Sequence, residues 1–343
     1  MALLEVRDLR SSFFTDAGEV KAVNGVSFDL ERGKVLGIVG ESGSGKSATA
    51  YSILQILASA GKIVGGSIKF NGQELVGAGE KVMKTIRGNK ISIIFQDPMT
   101  ALNPTYTIGH QLKEAILLHT NRTKAQAKER AIEMLRLVNV NDPEKRMNQY
   151  PYELSGGMRQ RVMIAMALAC EPDILIADEP TTALDVTIQA QILELMNSIQ
   201  KELGMAIIMI THDLGVVAQM CDEVIVMYAG SVCEQGTTDE IFYNPHHEYT
   251  KGLMRSIPTA TSAGTKLQPI TGTPIDLLNM PKGCPFAPRC ANAMKICINQ
   301  NAEIMEVCEN HKAACWMNIK EAVEKGELKL EKSETQEETT NEQ

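Results

Sequence analysis

Short runs of uncharged residues recur between helical stretches along the first 230 positions. Those with the strongest apolar character occupy 35–39, 91–95, 174–177 and 206–210. Runs of this length without alternation are typical of strands buried on both faces, as in a parallel sheet covered by helices. Residues 4–9 and 20–30 instead alternate apolar and polar positions, as half-buried antiparallel strands do. The pattern predicts an α/β core with a separate antiparallel β subdomain.

The stretch after residues 35–39 has the spacing of a phosphate-binding loop. It reads Gly40-Glu41-Ser42-Gly43-Ser44-Gly45-Lys46-Ser47 and precedes a predicted helix at 48–57, which is the context that G-x-x-x-x-G-K-S requires. Its glycines let backbone N–H groups turn toward an anion, and the helix N-terminus adds positive potential there. Lys46 is expected to reach the β- and γ-phosphates, and the Ser47 hydroxyl to bind Mg²⁺. The complete match favours a nucleoside triphosphate site over a plain glycine-rich turn.

Polar side chains follow the other three buried strands. They are Gln96, the pair Asp178-Glu179, and His212. The carboxyl ends of parallel strands face the ligand crevice, so these groups are expected to meet there. Asp178 suits Mg²⁺ binding, mostly through water, and Glu179 suits orienting or deprotonating an attacking water. A salt-bridged acidic pair and a structural histidine are the alternatives; His212 is expected to contact the γ-phosphate.

A helical block interrupts the strand–helix alternation between about 98 and 165. Helices are predicted at 107–118 and 123–138, the second opened by a capping box of Thr123 and Gln126. Leu154-Ser155-Gly156-Gly157 then precedes another helix. Ser-Gly-Gly at a helix N-terminus can bind a second anion or serve as a plain N-cap, and spacing alone leaves both open.

An aromatic side chain precedes the turn predicted at 16–18. Phe13 is expected there to stack on the adenine of a nucleotide held at 40–47. Core packing is the alternative role for Phe13, and Phe14 is the second candidate for the stacking role.

The composition limits the partners and the compartment. The net charge is −8 without clustered Lys and Arg, so we expect no nucleic-acid partner. No run approaches the ~18 apolar residues of a membrane span, and the N-terminus lacks the features of a signal peptide. We therefore expect a cytosolic protein, soluble when isolated, and its 343 residues suggest more than one domain.

The composition changes after residue 257. We expect an ATP-binding domain over 1–257, a Pro/Thr-rich connector over 258–282, a Cys-rich segment over 283–320 and a charged tail over 321–343. Five of the eight cysteines crowd together at 284, 290, 297, 308 and 315, which in a reducing cytosol favours metal over disulfides. Their gaps match neither zinc knuckles nor ferredoxins, so spacing alone favours no metal.

In this order the motifs resemble those of ABC transporter ATP-binding subunits. They are the P-loop, Gln96, Leu154–Gly157, the strand ending in Asp178-Glu179, Leu184-Asp185 and His212. The resemblance implies a P-loop NTPase (RecA-like) core, an antiparallel β subdomain, a helical signature lobe, and ATP with Mg²⁺ as ligands. It also implies that two such subunits meet head to tail around ATP.

The residues and the resemblance together assign the site as follows. The residues expected to bind ATP are Phe13, Gly40, Ser42, Gly43, Ser44, Gly45, Lys46, Ser47 and Ala48. Mg²⁺ is expected to bind Ser47, Gln96 and Asp178, and the catalytic residues are expected to be Glu179, His212 and Gln96. The ATP of the partner subunit is expected to contact Ser155, Gly156 and Gly157.

A narrower resemblance is to the oligopeptide/dipeptide importer group. It rests on residues 37–47, on Phe95-Gln96-Asp97-Pro98 through Pro104, and on Gly283 through Cys290 with the later Cys297 and His311…Cys315. It implies a second ATPase (or a second copy), two membrane subunits, an extracytoplasmic binding protein, and a peripheral position at the cytoplasmic face of the membrane.

The same resemblance implies a [4Fe–4S] cluster on Cys284, Cys290, Cys297 and Cys315, leaving Cys308 spare. Zinc and unmetallated thiols are the alternatives.

Other functions use related motifs. Nickel or another small solute could be the cargo, because the ATPase does not touch it. A soluble ABC ATPase acting on ribosomes or DNA would usually show two cassettes or a coiled-coil insertion, and a small-molecule P-loop kinase would not need Leu154–Gly157 or His212.

Overall fold

The computed structural model describes residues 2–182, 184–256 and 269–319. Its strands are β1 (Leu4–Thr15), β2 (Gly18–Leu30), β3 (Val35–Val39), β4 (Gly61–Phe70), β5 (Gln73–Glu74), β6 (Ile91–Ile94), β7 (Ile174–Asp178), β8 (Ala206–Thr211), β9 (Glu223–Tyr228), β10 (Ser231–Thr237), β11 (Met305–Cys308) and β12 (His311–Ala313). Its helices are α1 (Lys46–Ile53), α2 (Glu80–Ile86), α3 (Pro98–Ala101), α4 (Ile108–His119), α5 (Lys124–Leu137), α6 (Pro143–Arg146), α7 (Gly156–Leu168), α8 (Val186–Leu203), α9 (Leu214–Met220), α10 (Thr238–Tyr243), α11 (Glu248–Arg255) and α12 (Lys295–Asn299), with short 3-10 turns at Pro151–Glu153 and Ala287–Arg289.

The larger sheet has the order β11-β12-β10-β9-β3-β8-β7-β6. Strands β9, β3, β8, β7 and β6 run parallel, and β3, β7 and β8 are buried along their whole length. The parallel α/β core predicted from the uncharged runs is confirmed. It brings the carboxyl ends of β6, β7 and β8 to one edge, where the candidate polar residues follow.

A second sheet is antiparallel throughout and has the order β2-β1-β4-β5. Its apolar face, including Leu4, Val6 and Phe28, packs with α1 against one face of the parallel sheet. This burial explains the alternating pattern of residues 4–9 and 20–30, because only one face of these strands meets the core.

Helices α3 to α7 form the helical block between β6 and β7. Thr123 and Gln126 make the predicted capping box at the start of α5. Helix α7 begins at Gly156, where the Ser155 side chain caps it. Apolar residues of α4, α5, α7 and α8 share one core with β7 and β8, so the block is joined to the parallel sheet by packing.

The C-terminal residues add two strands, β12 and β11, to the larger sheet. Strand β12 pairs with β10 through Glu234↔Ala313 and Gln235↔Lys312, and β11 pairs with β12. Phe286 packs with Tyr228 and Tyr249 in a third core cluster. The predicted connector is irregular over 269–282, while 257–268 and the predicted tail at 321–343 lie outside the described residues. Among the residues that the structure describes, no helix has the length and apolar character to cross a bilayer.

Candidate functional site

The loop between β3 and α1 needs glycine at two close approaches. Gly40 has φ 151° and Gly45 has φ 102°. A Cβ on Gly40 would lie 2.2 Å from the Met227 carbonyl oxygen, and one on Gly45 would lie 2.3 Å from that of Ala22. Only glycine combines these angles with this clearance, so the sequence dictates the curled loop that the motif predicts.

The loop directs polar groups inward. Lys46 is buried, and its Nζ donates hydrogen bonds to the carbonyl oxygens of Gly40 at 2.7 Å and Glu41 at 3.0 Å. Burial lowers the pKa of Lys46, while the carboxylates of Glu179 and Asp178 oppose that shift. Within the part of the chain that the structure describes, the buried Ser44 Oγ has no hydrogen-bond partner. A cation, a free hydroxyl and a helix N-terminus in one loop fit a phosphate group.

Asp178 lies at the end of β7 beside Ser47. The Ser47 hydroxyl donates to Asp178 Oδ1 at 3.0 Å, and the Tyr51 hydroxyl donates to Oδ2 at 3.0 Å. Burial raises the pKa of the Asp178 carboxyl, and these two hydrogen bonds oppose the rise. Hard oxygen donors at this spacing are the ligands that Mg²⁺ prefers, so Ser47 and Asp178 fit that ion.

Glu179, which follows β7, contacts the polar residues that follow β6 and β8. Gln96 Nε2 donates to Glu179 Oε2 at 2.7 Å, and His212 Nδ1 lies 3.1 Å from Oε1. The Thr182 hydroxyl also donates to Oε2, at 3.0 Å. Burial opposes ionisation of Glu179, but the hydrogen bonds of His212 and Thr182 hold its pKa below the usual value. Its φ of 49° is uncommon for a residue other than glycine, and such strain clusters at functional sites.

Two contacts of the site were missed from the sequence. Tyr51 lies four residues after Ser47 on α1, and that spacing puts both on one helix face. Thr182 lies three residues after Glu179, within reach of a turn. Both could have been found from local spacing once the acidic residues had been assigned.

The register of β1 and β2 favours Phe13 over Phe14 near the loop. Phe13 pairs with Val20, so the two share a face of the sheet. Val20 lines a cavity of about 280 Å³ together with residues 41–44. Phe14 is 49% exposed, and Lys62 Nζ lies 5.9 Å from its ring centroid.

Ser155 caps α7, accepting a hydrogen bond from the Met158 amide at 3.4 Å. A Cβ on Gly157 would lie 2.9 Å from Ile188 Cγ2, so glycine permits close packing on α8. Ser155 is exposed. Within the described residues, no hydrogen bond joins Ser155, Gly156 or Gly157 to the P-loop or to Glu179.

The fold and site together define an ATP-hydrolysing cassette, and the chain belongs to the ABC transporter family. The family model described as "ABC transporter" matches residues 23–182. Within the family the chain falls in the oligopeptide/dipeptide branch, since the model described as "Oligopeptide/dipeptide transporter, C-terminal region" matches residues 233–297.

Curated relatives agree over most of the chain. The oligopeptide transport ATP-binding protein of Salmonella typhimurium is 55% identical, covering 87% of this chain and 88% of the relative. The dipeptide transport ATP-binding protein of Bacillus subtilis is 53% identical, covering 93% and 96% respectively. A dimeric ATP-binding cassette solved in a post-hydrolysis state with ADP and phosphate is similar at TM-score 0.62 and 26% identity, over 68% of this chain and 98% of that one.

The prediction of an iron–sulfur cluster on Cys284, Cys290, Cys297 and Cys315 is wrong. The family is one of ATP-binding transport proteins and is not known to bind iron–sulfur clusters. Burial raises the pKa of Cys284 to about 11 and also raises those of Cys290 and Cys315. The gaps between these cysteines had already favoured no metal.

Proposed function

We propose that this chain energises the import of oligopeptides or dipeptides by binding and hydrolysing ATP at the cytoplasmic face of the cell membrane. Its partners would be a second ABC ATPase (a related chain, or a second copy when isolated), two membrane-spanning subunits and an extracytoplasmic peptide-binding protein. Peptide cargo is supported by the names of relatives that match about nine-tenths of the chain and by the C-terminal model. Nickel, another small solute or a non-transport role has no comparable support.

One observation carries the catalytic part: Gln96, Glu179 and His212 come from three strand ends and meet within hydrogen-bond distance. Glu179 would accept a proton from the attacking water, since its lowered pKa keeps it ionised. Gln96 and His212 would orient the carboxylate, and His212 would contact the γ-phosphate. Holding the base in one geometry is worth more than its basicity alone.

The phosphates would lie against the amides of residues 40–47, with Lys46 turning from its two carbonyl partners to the β- and γ-phosphates. Ser47, Asp178 and Gln96 would hold Mg²⁺, which neutralises charge on the phosphates when bound. Phe13 would stack on the adenine, since it shares a sheet face with Val20 beside the loop.

Ser155, Gly156 and Gly157 would act in the partner's site. Ser155 is exposed at the capped start of α7, where free amides can bind an anion. Two subunits meeting head to tail would bring this helix end to the partner's γ-phosphate, so that ATP joins them. Hydrolysis removes that bridging group and weakens the closed state, which would drive the transport cycle.

For the chain we also propose a division into an ATP-binding domain to about residue 257, with its helical lobe at about 98–165, and a C-terminal segment. Sheet pairing of β12 with β10 would fix that segment on the domain.

Substitution of the proposed base tests the central claim. Glu179→Gln keeps the shape of the side chain and removes its basicity, so ATP turnover should fall about 10²–10⁴-fold while Mg-ATP still binds and stabilises a closed dimer. Glu194→Gln, at an exposed position on α8, should leave turnover unchanged. Unaltered hydrolysis by the Glu179 variant would remove the catalytic assignment.

The dimer is tested in the same background. Gel filtration of Glu179→Gln with Mg-ATP should show a dimer, and adding Ser155→Arg should return the monomer. Peptide uptake into vesicles holding the complete transporter, with Ni²⁺ as the competing cargo, tests the solute; uptake of Ni²⁺ without peptide would contradict the cargo assignment.

A further inference from the structure

A group of metal-binding side chains lies where the β11–β12 hairpin meets the rest of the molecule. Cys308 ends β11 and His311 begins β12, while His246 follows α10 in the chain. Donor atoms of these three residues all lie within 4.8 Å of one another, and the described part of the chain holds no other such group. Glu240, on α10, is a further neighbour of the Cys308 and His311 donor atoms.

The distances within the group match those between ligands of a single ion. Cys308 Sγ lies 3.5 Å from His311 Nδ1 and 3.7 Å from Glu240 Oε2, and His311 Nδ1 lies 3.3 Å from the same carboxylate oxygen. A tetrahedral zinc ion with ordinary Zn–S, Zn–N and Zn–O bonds holds its ligand atoms about 3.3–3.6 Å apart. One sulfur, one nitrogen and one oxygen thus form a face of the required size.

The second ring nitrogen of His311 has a buried carboxylate partner. His311 Nε2 lies 2.7 Å from Glu234 Oε1, and both side chains are fully buried. With the proton assigned to Nε2, Nδ1 keeps its lone pair toward Cys308 and Glu240. A carboxylate behind a histidine is the usual outer-shell arrangement of metal-bound histidines, since it fixes the ring and raises its basicity.

His246 offers the remaining donor. Its Nδ1 lies 3.3 Å from Asn318 Oδ1, so a proton on Nδ1 leaves the lone pair on Nε2. The His246 and His311 rings approach edge to face, with centroids 5.0 Å apart. The side chains therefore supply S, N, N and O donors from the hairpin, from α10 and from the residues after it.

We propose that Cys308, His311, Glu240 and His246 bind a divalent cation of the zinc class. The mixed thiolate, imidazole and carboxylate donors suit that ion. On binding, the Cys308 thiol loses its proton to solvent as the metal–sulfur bond forms, with no change of oxidation state. The ion joins the β11–β12 hairpin to α10, at a place separate from the P-loop and from the residues proposed for ATP hydrolysis.

Zinc binding to the full-length protein tests the site directly. After demetallation, titration with Zn²⁺ against a chromophoric chelator should give one ion per chain for the wild type. Cys308→Ser and His246→Ala should each lower the affinity by more than the ~10–100-fold that outer-shell changes cost. Cys297→Ser is the matched control, a partly buried thiol of the same segment, and should bind as the wild type does. Zinc should raise the Tm of the wild type and of Cys297→Ser but not of Cys308→Ser.

Cobalt reports the ligand set independently of affinity. Co²⁺ should give tetrahedral d–d bands with a sulfur-to-metal charge-transfer band, and Cys308→Ser should abolish the latter. Failure to bind zinc would instead support a protonated His311 bridging Glu234 and Glu240, and would overturn the proposal. Binding lost in Cys297→Ser and kept in Cys308→Ser would overturn it as well. ATP turnover should be the same in Cys308→Ser as in the wild type, so the two functions are judged separately.

Discussion

Arg289 and Glu41 form a two-point ion pair that joins the C-terminal segment to the P-loop. Arg289 Nη2 lies 2.9 Å from Glu41 Oε1, and Nη1 contacts the other carboxylate oxygen. The Arg289 side chain is 5% exposed and that of Glu41 27%. The Glu41 amide also donates to the Tyr249 hydroxyl at 2.8 Å. Glu41, the second residue of the phosphate-binding motif, is therefore held by two side chains that lie outside the loop.

Breaking this pair should weaken ATP binding. In Arg289→Ala the Glu41 carboxylate faces the bound triphosphate without its counter-charge, and a loss of about 1.4 kcal/mol gives a roughly tenfold higher Kd for Mg-ATP. Calorimetric titration in a Glu179→Gln background measures it without turnover. Glu41→Gln added to Arg289→Ala should recover most of the affinity, because the unpaired anion is then gone. Arg255→Ala removes an exposed arginine of α11 and should have no effect; equal losses in both arginine variants would contradict the coupling.

Lys46→Ala should abolish most ATP affinity and leave the fold intact. Among the described residues, the Lys46 side chain donates to no group but two carbonyl oxygens of its own loop. Its loss therefore removes the cation proposed to contact the phosphates and little packing. We expect a Kd for Mg-ATP at least tenfold higher, as a charge-assisted hydrogen bond is worth about 1.5–3 kcal/mol. Lys145→Ala, at an exposed position, is the control, and circular dichroism should match the wild type for both variants.

Tyr51→Phe should change the magnesium requirement. The Tyr51 hydroxyl holds Asp178 Oδ2, while its ring packs 6.3 Å from that of Phe95 and would remain. Loss of the hydrogen bond frees the carboxylate to rotate, and the Mg²⁺ concentration for half-maximal ATPase activity should rise about 10- to 100-fold. Binding of ATP without Mg²⁺ should not change. Tyr243→Phe, 86% exposed, should match the wild type; a Tyr51 variant with an unchanged Mg²⁺ profile would refute the positioning role.

Thr123→Ala should destabilise the helical block. Thr123 and Gln126 cap the first turn of α5 reciprocally, and losing the hydroxyl leaves an amide unpaired, at a cost of about 1 kcal/mol. Chemical unfolding monitored by circular dichroism measures the shift in midpoint. Thr187→Ala changes an exposed threonine of α8 and should stay within about 0.5 kcal/mol. Equal midpoints for the two variants would show that the cap contributes nothing.

The parts predicted well from the sequence rest on local patterns. Uncharged runs gave the parallel strands, and the rule that their carboxyl ends share an edge brought Gln96 and His212 to Glu179. The capping box of α5 needed only residues three apart. Each of these predictions depends on spacing within one element or on one general rule of sheet geometry.

Local patterns could not predict contacts between residues that are far apart in the sequence. Glu41 and Arg289 are separated by 248 positions, and no periodicity connects them. The pairing of β12 with β10 was missed because β12 is three residues long, too short for an alternating pattern. The cysteine assignment failed for another reason: it rests on the family resemblance alone, whereas the spacing of the cysteines favours no metal.

The pairing of β12 with β10 in the larger sheet determines how this protein tolerates truncation of its C-terminal segment. Deleting the chain after residue 282 would remove β12, the strand that pairs with β10. Backbone N–H and C=O groups of β10 would then be exposed, and a strand edge of this kind templates aggregation. It would also leave Glu234, a fully buried carboxylate, without His311. A shortened chain with every ATP-binding motif intact should therefore precipitate or recruit a foreign strand, and its solubility, more than its nucleotide affinity, would reveal what was removed.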